Sequence, residues 1–544
     1  MNNISIQNWK EAMISASNNM QNHKNRINSL NVFPVPDGDT GTNMSSTIKK
    51  AADSLITSTT TNLNQLLQSI SKDMLLGARG NSGVILSQIF KGLSVGWKGL
   101  TKIEPKHIVD GFREASKMAY ASVINPIEGT ILTVIRETYE NLEKNVKPKM
   151  DIIEIFELAL KYARVSCDNT PNLLAVLKEV GVVDSGGEGL NIIIEGILQS
   201  FKGKPIKISK EEAQMQQFTG ELEIYDGEFG YCTELILKLE QVDKFNKPEF
   251  VKGLSKLGNS IVVVQDEEIV KIHIHALHPG QVLNYAQKLG EFDAIKSENM
   301  TIQASDTKSN ITMQEKKINN LSTKKKTSAI ISCNTGSGII ELMKEYECDY
   351  IIEGGQTNNP SAQDIIEAIE FVNADNIFIL PNNSNIILTA QQAAKIIKNK
   401  NIKVLSTKTQ VEGITAMLNF SSELNLEENL EEMESSLKNL VTGQITAAIK
   451  DTKINNVKVK KGEFLMMIEN KIVGCKRDII KAGQALVKEM LSKKNAEIVV
   501  IYYGGDSTKI DANELEKYII SNFDVEVEIY NGDQPIYNFL ISVE

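Results

Sequence analysis

The spacing of apolar residues changes at about residue 200 of this 544-residue chain, and this change constrains the fold more than any other feature. Before it, apolar side chains recur every three or four residues, the period of an amphipathic helix. The first such stripe comprises Trp9, Ala12, Met13, Ala16, Met20, His23, Ile27 and Leu30. Further helices are predicted near residues 45–57, 62–76, 82–97, 107–122, 129–144, 151–166, 171–180 and 188–201. We therefore predict an all-α bundle or barrel with its chemistry in the loops at one end.

Two polar stretches, residues 202–217 and 304–327, separate the helical part from the rest of the chain. Between them, apolar runs such as Tyr231–Leu239 and Ile269–Ala276 predict strands of a small α+β unit. After the second stretch, apolar runs alternate with helical segments, which predicts an α/β domain with a largely parallel sheet. The length fits roughly three domains of about 150 residues each. The predicted domains are residues 1–202, 218–303 and 327–544.

The composition argues against several classes of protein. The formal net charge is -10 and the pI is about 5.4, so no nucleic-acid partner is expected. No apolar run approaches the roughly 20 residues of a membrane span, and the polar start predicts no signal peptide. The five cysteines are scattered and odd in number, which favours a reducing cytoplasm over a disulfide framework.

Two carboxylates, Asp37 and Asp39, flank one glycine in the turn Asn31-Val-Phe-Pro-Val-Pro-Asp-Gly-Asp-Thr-Gly-Thr-Asn-Met44. Carboxylates this close repel each other unless a cation lies between them. Mg²⁺ usually binds through one or two carboxylates together with substrate phosphates. The pair therefore indicates Mg²⁺ and, through it, a nucleotide, with an ordinary Pro-Asp-Gly turn as the alternative.

Two further segments are rich in glycine and precede apolar helices. They are Gly77-Ala-Arg-Gly-Asn-Ser-Gly83 and Asp184-Ser-Gly-Gly-Glu-Gly189. Backbone N–H groups of such segments can approach an anion at a helix N-terminus. Each segment alone is better explained by ordinary helix capping, but three such loops in one domain, one of them acidic, favour phosphate binding. Neither segment matches the P-loop or the Rossmann fingerprint.

These segments, with Leu76-Gly-Ala-Arg-Gly-Asn-Ser-Gly-Val84, Glu128-Gly-Thr-Ile-Leu-Thr-Val134 and Gly181-Val-Val-Asp-Ser-Gly-Gly187, resemble the nucleotide-binding (L) domain of dihydroxyacetone kinases. The whole chain is most similar to the bacterial fatty acid kinase family. Its last 200 or so residues share a more general similarity with DegV-like lipid-binding proteins. The resemblance implies an eight-helix barrel that binds ATP and two Mg²⁺ ions.

The resemblance also implies roles for individual residues. Asp37 and Asp39 match two of three metal-binding aspartates. The third position falls near Asn31 or Val32, where this chain departs from the pattern, although Asn31 could supply an amide oxygen. The residues implied to contact phosphate or to line the nucleotide are Thr42, Asn43, Ser82, Gly83, Thr130, Asp184 and Gly186.

The implied reaction transfers the γ-phosphoryl group of ATP to the carboxylate of a fatty acid held by a separate DegV-like binding protein. The product is an acyl phosphate for phospholipid synthesis. A carboxylate is already ionised at pH 7, so no general base is required. Catalysis then rests on positioning and on cations, and Arg79 is the candidate cation, with a capping or surface arginine as the alternative. The resemblance further implies a homodimer.

A second metal site is predicted in the middle domain. His273 and His275 alternate in a predicted strand and so face one side of it. Cys232 lies in another predicted strand of the same domain, and one thiolate with two imidazoles is a zinc-type ligand set. The similarity to the middle domain of the kinase supports a structural Zn²⁺, with His278, water or an acidic side chain as the fourth ligand. A solvent-facing histidine pair beside an unrelated cysteine is the alternative.

Two other functions remain open at this stage. One is a dihydroxyacetone-type kinase component for a small molecule, which would need a substrate-holding histidine, and no histidine follows His278. The other is a non-catalytic scaffold that senses nucleotide. In the C-terminal domain, residues 332–338 and 353–360 follow predicted strands, where open α/β sheets bind ligands. They are read as a docking surface for the carrier or a lipid site, or else as ordinary loops.

Overall fold

The computed structural model describes residues 1–32, 38–209, 231–266, 268–299, 325–355, 358–448, 452–454, 457–493 and 496–544. These residues belong to two compact units. The first unit joins Met1–Lys207 with Lys325–Glu544, and the second is Ile208–Lys324. The helical part and the C-terminal part of the chain therefore pack together within one unit.

The N-terminal part is helical, as predicted. Its described helices are α1 (Ile6–Leu30), α2 (Thr40–Thr57), α3 (Leu63–Leu76), α4 (Gly80–Gly96), α5 (Pro105–Ala121), α6 (Ile131–Asn145), α7 (Ile152–Leu173), α8 (Ala175–Val180) and α9 (Ser185–Phe201). Ser5 and Asp151 form capping boxes at the starts of α1 and α7. The apolar faces share one core, in which the rings of Trp9 and Trp97 meet edge-on with centroids 5.1 Å apart. No helix in the described part of the chain is both long and apolar enough to cross a membrane.

The helices that follow the acidic turn and the glycine-rich segments begin earlier than predicted. Helix α2 begins at Thr40, α4 at Gly80 and α9 at Ser185, where the apolar pattern alone placed the starts near residues 45, 82 and 188. Glycine has a low helix propensity, so the first turns of these helices resemble loops in the sequence. The glycine-rich segments therefore present the N–H groups of helical first turns, which have no partner within their own helix.

The second unit contains a four-stranded antiparallel sheet. Its strands are β1 (Tyr231–Leu239), β2 (Asn259–Asp266), β3 (Ile269–Ala276) and β4 (Gly290–Asn299), in the order β2-β3-β1-β4. Two short helices, α10 (Lys247–Leu254) and α11 (Pro279–Ala286), contribute Phe250 and Val282 to a core shared with alternate strand residues such as Leu235 and Ile272. Strands β1 and β3 have the bounds that their apolar runs predicted.

The C-terminal part begins with a parallel sheet, as the alternation of strands and helices predicted. Its strands are β5 (Lys326–Asn334), β6 (Tyr350–Glu353), β7 (Ala374–Leu380) and β8 (Asn401–Val404), in the order β6-β5-β7-β8. The helices of this region are α12 (Ser337–Glu345), α13 (Ala362–Phe371), α14 (Ser384–Ile396), α15 (Gln410–Leu418) and α16 (Leu426–Lys438).

A second sheet in the C-terminal part is mixed, so the prediction of a largely parallel sheet is wrong here. Its strands are β9 (Val441–Ala447), β12 (Phe464–Ile468), β13 (Lys471–Lys476), β14 (Ile498–Tyr503), β15 (Glu526–Asn531) and β16 (Phe539–Val543). A ribbon of β10 (Thr452–Ile454) and β11 (Val457–Val459) and the helices α17 (Ile479–Lys493) and α18 (Lys509–Asn522) complete the region. Within the six-stranded sheet, described pairs other than β14–β15 run antiparallel. Glu469 and Asn470, both at positive φ, join β12 to β13 in a tight hairpin that leaves no room for a crossover helix.

Candidate active site

The first turns of five helices meet around one cavity of about 530 Å³. Four of these helices, α2, α4, α6 and α9, belong to the N-terminal part, and the fifth, α14, belongs to the C-terminal part. Their contributions to the wall include Thr40, Asn81, Ile131, Ser185 and Ser384. Each helix N-terminus carries partial positive charge and N–H groups that have no partner within the helix itself, so the cavity favours an anion with several negative charges.

Asp39 lies at the start of α2 and is buried in the wall of this cavity. Its two carboxylate oxygens accept hydrogen bonds from the side-chain amides of Asn31, at 3.3 Å, and Asn359. The neighbouring Asp37, predicted as the second metal ligand, lies outside the described residues.

The surroundings of Asp39 fit a hard cation such as Mg²⁺. Asn359 is 3% exposed, and its buried Oδ1 has no hydrogen-bond partner within the described part of the chain. A buried amide oxygen without a partner is costly, and Mg²⁺ binds oxygen ligands of this kind. The carboxylate of Asp39 and the amide oxygens of Asn31 and Asn359 are therefore a suitable donor set.

Asp184 holds the start of α9 beside the same cavity. Its Oδ2 accepts a hydrogen bond of 2.7 Å from the backbone N–H of Gly187, which caps the helix. Burial raises the pKa of Asp184 to about 6, although backbone N–H groups, that of Gly187 first among them, oppose the shift. The next residue, Ser185, donates to Thr40 at 3.2 Å, so the first turns of α9 and α2 are held together.

Two glycines allow the first turn of α4 to pack against α2. Gly80 has φ +58°, and a Cβ placed on it would lie 2.5 Å from the side-chain amide nitrogen of Asn43. A Cβ on Gly83 would lie 2.5 Å from Oγ1 of Thr47. Gly80 and Gly83 therefore permit close packing between α4 and α2. Ser82, which lies between these glycines in the sequence, lines the cavity.

The structure brings most of the predicted nucleotide-binding residues to one place. Those that line the cavity are Asn31, Asn43, Ser82, Thr130, Asp184 and Gly186. Two others pack beside the wall instead: Gly83 faces Thr47, and Thr42 exchanges hydrogen bonds with the side chain of Asn28 at 3.0 and 3.1 Å. Six of the eight positions predicted for the nucleotide therefore line one cavity.

Arg79, the predicted catalytic cation, is directed at the C-terminal part of the chain. Its Nη1 donates to the backbone oxygen of Asn359 at 2.6 Å, and its Nη2 lies 3.7 Å from the carboxylate of Asp364. The backbone beside it pairs with Ser361 and with Ala362. Its contacts therefore attach the start of α4 to the segment that carries Asn359.

The C-terminal part supplies cavity residues that the sequence did not predict. Asn385, in the first turn of α14, accepts a hydrogen bond of 3.2 Å from the side-chain amide of Asn81 in α4. Leu388, Ser406 and Lys408 also line the cavity. The polar run Pro381-Asn-Asn-Ser-Asn385, between an apolar strand and an apolar helix, was the available signal for a ligand-binding loop.

The predicted zinc ligands occupy neighbouring positions in the sheet of the second unit. Cys232 on β1 and His275 on β3 are direct cross-strand partners, and His273 is two residues from His275 along β3. The three residues therefore share one face of the sheet, whereas their side chains lie outside the described part of the structure. His278 precedes α11 at its N-cap position. The residues whose side chains are described form no group of three or more metal-ligating side chains.

Comparison with protein families identifies all three regions. Residues 34–199 match the DAK2 domain, residues 228–307 the middle domain of FakA-like fatty acid kinase proteins, and residues 329–544 the C-terminal domain of the same proteins.

Individual relatives were also found. An uncharacterised protein of Staphylococcus saprophyticus is 39% identical over 98% of both chains, and one of Staphylococcus aureus is 38% identical over the same shares. Among solved structures, the dihydroxyacetone kinase of C. freundii in complex with AMP-PNP and Mg²⁺ is 17% identical, with a TM-score of 0.28, over 36% of this chain and 33% of that one. The three regional matches and the relatives of nearly equal length show that the chain belongs to the FakA-like fatty acid kinase family.

Proposed function

We propose that this chain is an ATP-dependent kinase that phosphorylates the carboxylate of a fatty acid held by a separate DegV-like binding protein. The observation that carries the proposal is the cavity into which five helix N-termini and the buried carboxylate of Asp39 converge. Such a site suits a polyphosphate together with a divalent cation. The geometry of the cavity supports a bound nucleotide. The choice of a fatty acid as the phosphoryl acceptor rests on membership of the fatty acid kinase family.

The residues of the chain have separate roles in this proposal. The first turns of α2, α4 and α9 donate N–H groups to phosphate oxygens, with Ser82 beside them. Apolar side chains in the wall, among them Ile85 and Leu132, suit the base of a nucleotide. Asp37, Asp39, Asn31 and Asn359 would hold up to two Mg²⁺ ions, which neutralise charge on the phosphates when bound.

The chemical step needs little from the protein beyond positioning. One oxygen of the fatty acid carboxylate forms a bond to the γ-phosphorus, and the bond from that phosphorus to the bridging oxygen of ADP breaks. Because the carboxylate is already ionised at neutral pH, no proton has to be removed by a side chain. The helix N-termini that line the cavity stabilise the negative charge that is redistributed during the transfer.

The proposal is tested by combining the chain with ATP, Mg²⁺ and a fatty-acid-loaded DegV-type carrier and by trapping the product as a hydroxamate. We expect hydroxamate that depends on the carrier and is abolished in Asp37→Ala and Asp39→Ala. Asp53→Ala is the matched control, because Asp53 is an exposed carboxylate on α2, the helix that follows Asp39. Normal product formation by Asp39→Ala would show that the metal assignment is wrong.

The same assay distinguishes the two other functions. Phosphorylation of dihydroxyacetone or a similar small molecule without a carrier would indicate a small-molecule kinase component. Tight nucleotide binding with no transfer to any acceptor would indicate a nucleotide-sensing scaffold. The family match favours the fatty acid kinase over both.

We also propose a structural Zn²⁺ bound by Cys232, His273 and His275, supported by their shared face and direct register in the sheet. Metal analysis of the purified chain tests this site. Zinc should be present in the unmodified chain and in Cys475→Ser, and lost from Cys232→Ser. Equal zinc content in the two variants would exclude Cys232 as a ligand. The family resemblance also implies a homodimer, which sedimentation velocity measures.

A further inference from the structure

The C-terminal part of the chain supplies a positive charge to the candidate nucleotide cavity. Among the described residues that line the cavity, Lys408 is the only lysine or arginine, whereas Asp39 and Asp184 are acidic. Lys408 follows strand β8 and immediately precedes Thr409, the N-cap of α15. Besides the helix N-termini and the proposed metal ions, Lys408 is therefore the cationic side chain of the described cavity wall that is available to a bound triphosphate.

The backbone around Lys408 is fixed, while its side chain is exposed. The N–H of Lys408 donates to the carboxylate of Glu412, and the N–H of Glu412 donates to Oγ1 of Thr409 at 3.1 Å. On the other side, Oγ1 of Thr407 accepts a hydrogen bond of 3.0 Å from the N–H of Asn382. Within the part of the chain that the structure describes, Lys408 forms no salt bridge within 4.0 Å, although its charge lowers the pKa of the Glu412 carboxyl against the larger, opposite effect of burial.

Hydrogen bonds link the segment that carries Lys408 to the first turns of α14 and α4. Ser384 and Asn385 in the first turn of α14 line the same cavity, and the segment before them is bonded to Thr407 through Asn382. Asn385 is in turn bonded to Asn81 in the first turn of α4, beside Ser82. The neighbours of Lys408 are thus connected, through Asn382 and Asn385, to the segment expected to hold phosphate.

We propose that Lys408 contacts the terminal phosphate of the bound nucleotide and thereby completes the site from the C-terminal part of the same chain. This inference rests on the proposed nucleotide site but not on the identity of the acceptor. In phosphoryl transfer the terminal phosphate carries charge that cations stabilise, and a charge-assisted hydrogen bond from an ammonium group is among the stronger contacts available. The role assigned to Arg79 from the sequence belongs in this account to Lys408.

The test compares the binding of a triphosphate and a diphosphate to the full chain. Titration calorimetry with AMP-PNP and with ADP, each with Mg²⁺, is carried out on the unmodified chain, Lys408→Gln and Lys408→Arg. We expect Lys408→Gln to weaken AMP-PNP binding roughly tenfold or more, to change ADP binding less than about twofold, and to be largely rescued by Lys408→Arg. Lys403→Gln, an exposed lysine on β8 outside the cavity wall, is the matched control and should bind both nucleotides normally.

Several outcomes would overturn the inference. Unchanged AMP-PNP binding in Lys408→Gln, or an equal loss of AMP-PNP and ADP, would show that Lys408 does not contact the terminal phosphate. Failure of the unmodified chain to bind either nucleotide would refute both this inference and the proposed function. If Lys408→Gln loses affinity for AMP-PNP alone but the unmodified chain phosphorylates no fatty acid, the contact of Lys408 is supported. Only the proposed acceptor is then refuted.

Discussion

Arg79 donates a hydrogen bond of 2.6 Å to the backbone oxygen of Asn359, whose side-chain amide donates to the carboxylate of Asp39. Arg79 and Asn359 are 280 positions apart in the sequence. Arg79 at the start of α4 therefore holds Asn359 of the C-terminal part, and Asn359 bonds the candidate metal ligand Asp39. We infer that Arg79 is a positioning residue, because among the described residues its guanidinium contacts Asn359 and Asp364, and Asn359 in turn donates to Asp39.

Removal of the Arg79 guanidinium should therefore weaken both packing and metal binding. For Arg79→Gln we expect a loss of about 1 to 2 kcal/mol of stability, since a hydrogen bond from a charged donor is lost, together with weaker Mg²⁺ binding. Thermal unfolding and Mg²⁺ titration by calorimetry measure the two effects. Arg164→Gln, which breaks a half-exposed pair with Glu195, is the control and should change neither. A variant with normal stability and Mg²⁺ affinity but a lower turnover number would instead support the catalytic role predicted from the sequence.

Substitution of Asn359 tests the donor set around Asp39 directly. In Asn359→Ala the carboxylate of Asp39 loses one amide partner and the cation loses one candidate oxygen. Partners of metal ligands typically contribute 10- to 100-fold to metal affinity, so we expect Mg²⁺ affinity to fall by about tenfold or more. Asn358→Ala changes an exposed neighbour on the same segment and should leave the affinity unchanged. Equal Mg²⁺ affinities in Asn359→Ala and Asn358→Ala would show that Asn359 does not contribute to Mg²⁺ binding.

Local features of the fold were predictable because they depend on local sequence. The apolar runs at Tyr231–Leu239 and Ile269–Ala276 have the bounds of the strands that form, since alternating burial is encoded residue by residue. Cavity residues such as Ser82 and Asp184 were predicted because glycine and small polar residues at helix starts carry their own signal, and because the motifs resemble a known domain.

The contribution of the C-terminal part to the cavity was not predictable in the same way. The segment of Asn359 was predicted as a docking or lipid site, and the polar run that ends at Asn385 marked a possible ligand-binding loop. Only long-range packing brings Asn359 to Asp39, Asn385 to Asn81, and Lys408 to the cavity wall. The mixed sheet was missed for a related reason. The hairpin at Glu469 and Asn470 depends on two residues at positive φ, and Asn is a weak signal for that conformation when no glycine accompanies it.

Alanine substitutions at two glycines distinguish the effect of backbone strain from the effect of lost packing. Gly80 and Gly99 both have positive φ, +58° and +84°, but a Cβ would clash with Asn43 only at Gly80 and would meet nothing within 4 Å at Gly99. We expect Gly99→Ala to lose about 1 kcal/mol of stability through strain and to bind nucleotide normally. Gly80→Ala should lose more and should also weaken nucleotide binding, because Asn43 lines the cavity. Thermal unfolding and AMP-PNP titration measure both quantities, and equal behaviour of the two variants would contradict the close packing of α4 against α2.

Asp184 should make the stability of the chain depend on pH in a defined direction. Burial raises its pKa from an ordinary value of 3.8 to about 6 in the folded protein. The folded state therefore binds this proton more tightly than the unfolded state, so stability falls as the pH rises from about 4 to about 6 and the penalty is fully present above that range. The shift corresponds to at most about 3 kcal/mol. The variant Asp184→Asn keeps an N-cap for α9 and removes the charge.

We expect Asp184→Asn to unfold at a higher temperature than the unmodified chain at pH 8, with the difference shrinking toward zero as the pH approaches 4. Thermal unfolding at several pH values measures this difference, and Asp168→Asn, an exposed carboxylate on α7, is the control. The comparison is made without nucleotide or Mg²⁺, because either ligand would add its own pH dependence. A difference that is constant across this pH range would show that Asp184 is already ionised in the folded protein at low pH, and that the backbone N–H groups at the start of α9 outweigh its burial.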